Sequence, residues 1–420
     1  MIRLYVLLLA SVLVTQHGTP LDGAEPPGEW PQFLGPARNG ISAETGLLEA
    51  IPEGGLKPLW RAPGGIGMAA VSVSGGTAVT MIQDESSQLV VALHARTGKM
   101  LWQRAVAPAF KNAMGNGPRA TPAISGGQVF TFSGEGILTA VSLADGTVTW
   151  SENCLKTLGG KQADYGMACS PLVEGGRVIV TVGTPEATVV AYDAKTGKQA
   201  WTAGRGDSAG YSSPAMLAVG GTRQLVVFNG RAAMGIDPGD GTLLWRYDYV
   251  TDYDCNIATP LAFKGSIFLS AGENHGATML SLAKRGDAFQ ANPGWESLGP
   301  GSTMRNEWQT SILLGGHLYG FDNVGGAGPI SHLTCIEAGT GKRIWQQVRF
   351  GKGNMIAADG KLFMTTVKGE LVIVKASPEG FKELGRQQVL ETTRQAPSLA
   401  AGLLYVRDNN HIICLDVRKP

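Results

Sequence analysis

VVALHARTGKMLW, Val90 to Trp102, reads as a strand, a tight turn and a second strand that ends in a large aromatic residue. Glycine in the Thr97-Gly98 turn supplies the positive φ that short hairpin loops need. The phrase returns, altered, as VVAYDAKTGKQAW, Val189 to Trp201. Further copies end at Trp150 (VSLADGTVTW), Trp245 (IDPGDGTLLW) and Trp345 (IEAGTGKRIW), and Trp295 closes a degenerate one. Successive tryptophans are 48, 51, 44, 50 and 50 residues apart. A period of that length belongs to the blades of a β-propeller.

Each unit has a second half. After the tryptophan comes a loop, then Ser/Thr-Pro, a short apolar strand, a glycine turn and an alternating strand. TPAISGGQVFTF (Thr121 to Phe132), SPLVEGGRVIVTV (Ser170 to Val182) and TPLAFKGSIFLS (Thr259 to Ser270) show it. Alternation at period two is a strand signal, and no segment sustains a helical period. Each unit is therefore four antiparallel strands, a-b-c-d. A seventh unit runs from Asn354 to Leu390, and the last, Ala396 to Asp416, holds only three strands. LKPLWR (Leu56 to Arg61) places Trp60 in the repeat position, 42 residues before Trp102, and so offers the missing strand. The expected fold is all-β: an eight-bladed β-propeller of four-stranded antiparallel blades, closed by an N-terminal strand. Closure leaves no open end blade, and stacking in a ring buries the faces that one blade cannot bury alone.

The chain divides into a signal peptide at 1–24, a lead-in segment at 25–55 and the propeller at 56–420. Leu4 to Val14 is an apolar run behind Arg3, of a length that suits a signal peptide better than a membrane span. The first cysteine is Cys154, so no lipoprotein anchor follows that run. These features point to a secreted or periplasmic protein with no membrane span after signal removal. Thirty-five Lys and Arg balance 34 Asp and Glu, which leaves no basic surplus for nucleic acid. The five cysteines are scattered and read as small buried hydrophobes, with one bridge, Cys154 to Cys169, left open.

The repeated AYDAKTGKQAW phrase resembles the quinoprotein-type (PQQ-like) propeller repeat over about residues 57 to 417. That family includes PQQ-dependent alcohol dehydrogenases and BamB, the propeller subunit of the outer-membrane barrel assembly machinery. WPQFLGPARNGIS (Trp30 to Ser42) is similar to the opening of secreted bacterial members. The resemblance implies a fold rather than quinone binding. It also implies that an enzyme of the family carries an adjacent-cysteine disulfide, a calcium ion and an Asp base. This chain has no Cys-Cys pair. The expectation is thus a non-catalytic binding or scaffold propeller of the bacterial cell envelope, BamB-like in architecture. The alternative is a PQQ- or calcium-dependent oxidoreductase.

Other motifs add no catalytic residue, no metal site and no cofactor. GDSAG (Gly206 to Gly210) has the letters of a nucleophile elbow but lies between two strands. DYDCN (Asp252 to Asn256) alternates oxygen ligands, yet Ile257 and Phe263 stand where a calcium loop needs Gly and Glu. Binding is expected instead on the longer, variable d-a and b-c loops, which share one face of the ring. Candidate residues are Arg119, Asp164, Tyr165, Tyr211, Asp252, Asn256, Arg305, Glu307, Trp308, Asn354 and Arg394. Residues of both signs there suit an envelope protein or a small polar ligand. The loop MRNEWQTS (Met304 to Ser311) pairs charge with an aromatic plate and is the strongest single point.

Overall fold

The computed structural model describes residues 28–326 and 328–420, so the expected signal peptide, with its apolar run Leu4 to Val14, lies outside the described residues. Among the described residues, thirty-two strands form eight separate four-stranded antiparallel sheets. Seven blades are consecutive in sequence; blade 3, for example, runs Leu172–Glu174, Arg177–Thr181, Val189–Asp193 and Gln199–Ala203 from the channel outward. Blade 8 takes Ser398–Ala400, Leu403–Arg407 and His411–Asp416 from the C-terminal end and Pro58–Pro63 from the N-terminal end. Trp60 lies opposite Cys414 in that last pair, so the ring closes as the sequence implies.

Period-two alternation sends successive side chains to the two blade faces, and each face meets a different neighbour. Val90 and Ala92 pack toward blade 2 with Val129 and Val141. Leu89, Val91 and Leu93 of the same strand pack toward blade 8 with Ile413 and Leu415. The core is therefore a circle of thin apolar layers between blades rather than one central mass.

The tryptophans tie these layers together. The pairing of the two outer strands slips by one residue beside the tryptophan in blade after blade, as between Ala92 and Leu93 or Ala191 and Tyr192. Such a bulge re-aims a side chain. Here it turns the indole onto the next blade's outer hairpin. Trp60 donates to Ala95 O at 2.8 Å, Trp102 to Leu143 O at 2.9 Å and Trp150 to Ala194 O at 2.9 Å. The ring lies so close to the turn glycine that a Cβ on Gly98 would sit 2.6 Å from Trp60. The TG turn is thus required twice, for its φ of 68° and for its missing side chain. Trp245 departs from the pattern, because blade 5 has a longer outer hairpin, Gly276–Arg285 and Ala288–Leu298, with no such turn to receive it. Its N–H bonds Gln224 Oε1 in its own blade at 2.7 Å.

The lead-in segment has a role that its sequence does not announce. It crosses the channel on the face of the glycine turns. Trp30 exchanges two 2.8 Å backbone bonds with Val73 of blade 1, and Pro31 O accepts from Ile124 N of blade 2. Arg38 donates to Ser170 O and Pro171 O of blade 3 and to Pro214 O of blade 4. Gly40 and Ser42 bond Ala357 of blade 7, and Glu44 accepts from Ala401 N of blade 8. Among the described residues the lead-in thus closes one end of the channel, with Phe33 at its floor, and leaves a cup toward the face of the variable loops.

Trp60 sits in the closing strand and is 8% exposed. Trp60→Ala is expected to destabilise the ring by about 3–5 kcal/mol, read as a lowered denaturant midpoint in equilibrium unfolding.

Candidate functional site

A girdle of hydroxyls lines the cup. Thr121 Oγ1 accepts from Ala70 N at 2.9 Å, Ser170 Oγ from Thr121 N at 3.0 Å and Ser213 Oγ from Ser170 N at 2.9 Å. Each hydroxyl thus fixes its blade to the preceding one, which explains why Ser/Thr-Pro recurs at the start of the inner strands. In each case the hydroxyl acts as acceptor, which leaves its own O–H free to donate to another group.

Above this girdle lies a cavity of about 180 Å³, floored by Phe33 of the lead-in. Six of the candidate residues line it: Arg119, Tyr165, Tyr211, Trp308, Asn354 and Arg394. Tyr165 and Tyr211 stack at 5.5 Å between centroids. Arg119 lies 4.5 Å above the Phe110 ring and donates to Tyr165 O at 2.7 Å and Gly115 O at 2.6 Å. Desolvation pulls its pKa down to about 10, with Arg394 adding to the fall, so it stays a cation at neutral pH. Arg394 is exposed, donates to Met114 O at 3.0 Å and covers Trp308 at 4.7 Å. Asn354 Nδ2 holds Arg394 O at 2.9 Å. Burial raises both tyrosine phenols, which remain neutral donors. Behind Ser170 sits Arg38, 2% exposed, with its donors on carbonyls and Gln32 Oε1 and no carboxylate partner among the described residues. Its desolvated guanidinium, lowered to about 10, is a fixed positive charge at the bottom of the cup.

The other five candidates lie elsewhere. Glu307 is buried behind Trp308 in an ion pair with Lys352, whose ammonium stands 4.7 Å over the same indole. Desolvation raises the Glu307 carboxyl against the pull of Lys352. Asp164 is exposed and lines a neighbouring cavity of about 200 Å³ with Tyr253 and Asp254. Asp252 is exposed on a short 3-10 turn. Asn256 and Arg305 turn inward. Asn256 Nδ2 donates to Asn229 O at 2.7 Å and Tyr249 O at 2.9 Å, while its Oδ1 accepts from Thr251. Arg305 grips Asp322 with bonds of 2.7 and 2.9 Å. Their structural duties satisfy both side chains. The sequence reading missed Phe33 and Arg38, which no repeat pattern marks.

This arrangement suits an anion. Among the described residues no carboxylate lines the cavity, and its charged groups are guanidiniums. Positive charge from Arg119 and Arg394 beside the aromatic side chains of Trp308, Tyr165 and Tyr211 is the combination that a planar anion such as PQQ would require. A calcium ion is a different matter, because it takes about six to eight oxygen ligands, with carboxylates usually among them. The described residues hold no group of three or more His, Cys, Asp or Glu placed to bind a metal. All five cysteines are free and buried, so the Cys154–Cys169 bridge left open by the sequence is not formed.

Asp322→Ala strands a buried guanidinium and is expected to lower stability by about 3–5 kcal/mol, visible as a lost or shifted cooperative transition. Burial pushes the Cys154, Cys255 and Cys414 thiols up to about 12. A thiol reagent at pH 8 should therefore leave the native protein unlabelled and count five thiols after unfolding.

Known proteins place the fold. The family described as outer membrane protein assembly factor BamB matches residues 86–347 and 329–419. Quinohemoprotein alcohol dehydrogenase from Comamonas testosteroni superposes with a TM-score of 0.68 at 15% identity, over 94% of this chain and 81% of that one. A europium-containing methanol dehydrogenase gives 0.67 at 14% identity, over 92% and 91% of the two chains. BamB from Moraxella catarrhalis gives 0.56 at 12% identity, over 86% and 97%. No curated protein matches the chain by sequence. Eight repeat blades, tryptophans seated on the next hairpin and a family match across most of the propeller lead to one conclusion: the chain belongs to the PQQ-repeat, BamB-type family of β-propellers.

Proposed function

We propose that the protein is a non-catalytic binding propeller of the cell envelope, secreted or periplasmic, that receives a small planar anion in its blind cup. The observation that carries this reading is the donor-rich cavity itself. Arg119, Arg394, Thr121, Ser170 and Ser213 line it, the Arg38 guanidinium lies behind Ser170, and three aromatic side chains wall it. The charge is fixed in a partly desolvated site, where it acts far more strongly than on an open surface. The apolar run near the N-terminus supports export, and the family supports an envelope setting. The domain division at 1–24, 25–55 and 56–420 belongs to the same proposal.

A second reading draws on the relatives named as alcohol and methanol dehydrogenases. Here the bound anion is a quinone cofactor, which supplies electron-accepting chemistry when bound. Arg119 and Arg394 would hold its carboxylates, and Trp308 with the tyrosine pair would exclude water. The likeness to those dehydrogenases supports this second reading, while the family description as an outer membrane protein assembly factor supports the first.

Calorimetric titration with PQQ as the probe tests the proposal. Saturable binding is expected, weakened about tenfold, or ~1.4 kcal/mol, by Arg119→Gln, Arg394→Gln or Trp308→Ala, with cooperative unfolding retained in each. Equal binding by the wild type and these variants, or none by either, overturns it. Dye-linked alcohol oxidation by the PQQ-loaded protein would select the second reading.

A further inference from the structure

Trp308 has a second neighbour besides the cup. On its far side a groove of about 680 Å³ runs along the flank between blades 6 and 7. It starts at Trp308 and Lys352 on the loop face and descends to Phe381 and Glu383 near the opposite face. The outer strand beside it, Glu383–Gln388, has six residues and spans about 20 Å. That is the length of a short extended peptide.

The groove has an aromatic floor and a basic rim. Phe350 and Phe381 meet edge-on at 6.0 Å between centroids, and both remain half-buried. Arg349, Lys352, Lys368 and Arg386 face the groove beside two carboxylates, Glu370 and Glu383. Both carboxylates are engaged by Arg386 at 2.9 Å, and Lys352 pairs with Glu307. Arg349 and Lys368 are exposed and have no ion pair among the described residues. Arg349 is also held at a φ of 54°, a conformation that a non-glycine residue seldom adopts.

The chain itself shows what the other flank of blade 7 accepts. An extended piece of the lead-in lies there, along the same outer strand. Ile51 N bonds Leu384 O at 3.1 Å, and Leu56 exchanges bonds of 2.7 and 2.9 Å with Gln387. Ile51 fills the space a side chain on Gly385 would occupy. On the blade 6 side no segment of the described residues covers the corresponding flank, and Arg349 and Lys368 stand there outside any ion pair.

We propose that this groove docks an extended acidic segment of a partner protein, with one aromatic or large aliphatic side chain seated against Phe350 and Phe381. Carboxylates of the segment meet Arg349 and Lys368. The site is independent of the anion cup, although Trp308 forms a wall of both.

The test uses the whole protein and a fluorescein-labelled acidic hexapeptide with one central phenylalanine, followed by anisotropy at low salt. Saturable binding is expected. It should weaken at least tenfold in the Arg349→Glu/Lys368→Glu double variant, whose thermal midpoint should match the wild type because both side chains are exposed. It should weaken comparably when the peptide's phenylalanine is replaced by glycine, and a basic hexapeptide should not bind. PQQ titration of the double variant should be unchanged, which separates this groove from the cup. No saturable binding, equal binding by the double variant, or equal binding of the glycine peptide would each overturn the proposal. The last outcome would mean loose charge attraction without a seat for the side chain.

Discussion

A four-stranded blade has two apolar faces and no way to cover either by itself. That constraint governs the molecule. Each face must find a neighbour, so the blades go round until the first meets the last. The closing contact is the most heavily built. Pro58–Pro63 pairs with His411–Asp416, Trp60 caps the next hairpin, and Arg407 reaches from blade 8 into blade 1. Its buried guanidinium donates to Gly65 O at 2.6 Å, Met81 O at 2.7 Å and Thr80 Oγ1 at 3.1 Å. A cation there is tolerated because its hydrogen-bond partners are carbonyl and hydroxyl oxygens and the Asp408 carboxylate is near enough to favour its charge.

The same solution serves at the bottom of the channel, with a different result. Arg38 binds carbonyls of blades 3 and 4 and so staples the lead-in across the ring. It sits at a φ of 52°, and the charge-assisted bonds offset that strain. Among the described residues no carboxylate pairs with it, so its charge is not neutralised in place. Arg305 gives the contrasting case: Asp322 neutralises it in place, and the pair only braces the loop that presents Trp308. Burial alone does not make an arginine functional; what faces it does.

Trp308 is where the two proposed surfaces touch. Arg394 covers it from the cup and Lys352 from the groove, each at 4.7 Å. Cations over an indole hold it in place through the ring's negative face. The wall between cup and groove is therefore a stack of charge and aromatic surface rather than a packed apolar layer.

The sequence by itself determined the blades. Period-two alternation, turn glycines and a tryptophan about every 48 residues are local signals, and they specify strand count, ring closure and which loops share a face. The Ser/Thr-Pro repeats were legible as strand starts, although not as a girdle of donors. Only the tertiary structure decided which loop residues converge. It gathered Arg119, Tyr165, Tyr211, Trp308, Asn354 and Arg394 around one cavity and turned Asn256 and Arg305 inward. It also made a plug of the lead-in. The physical reason is range: Arg38 meets Ser170 across 132 residues of chain, and no local pattern encodes a partner that far away.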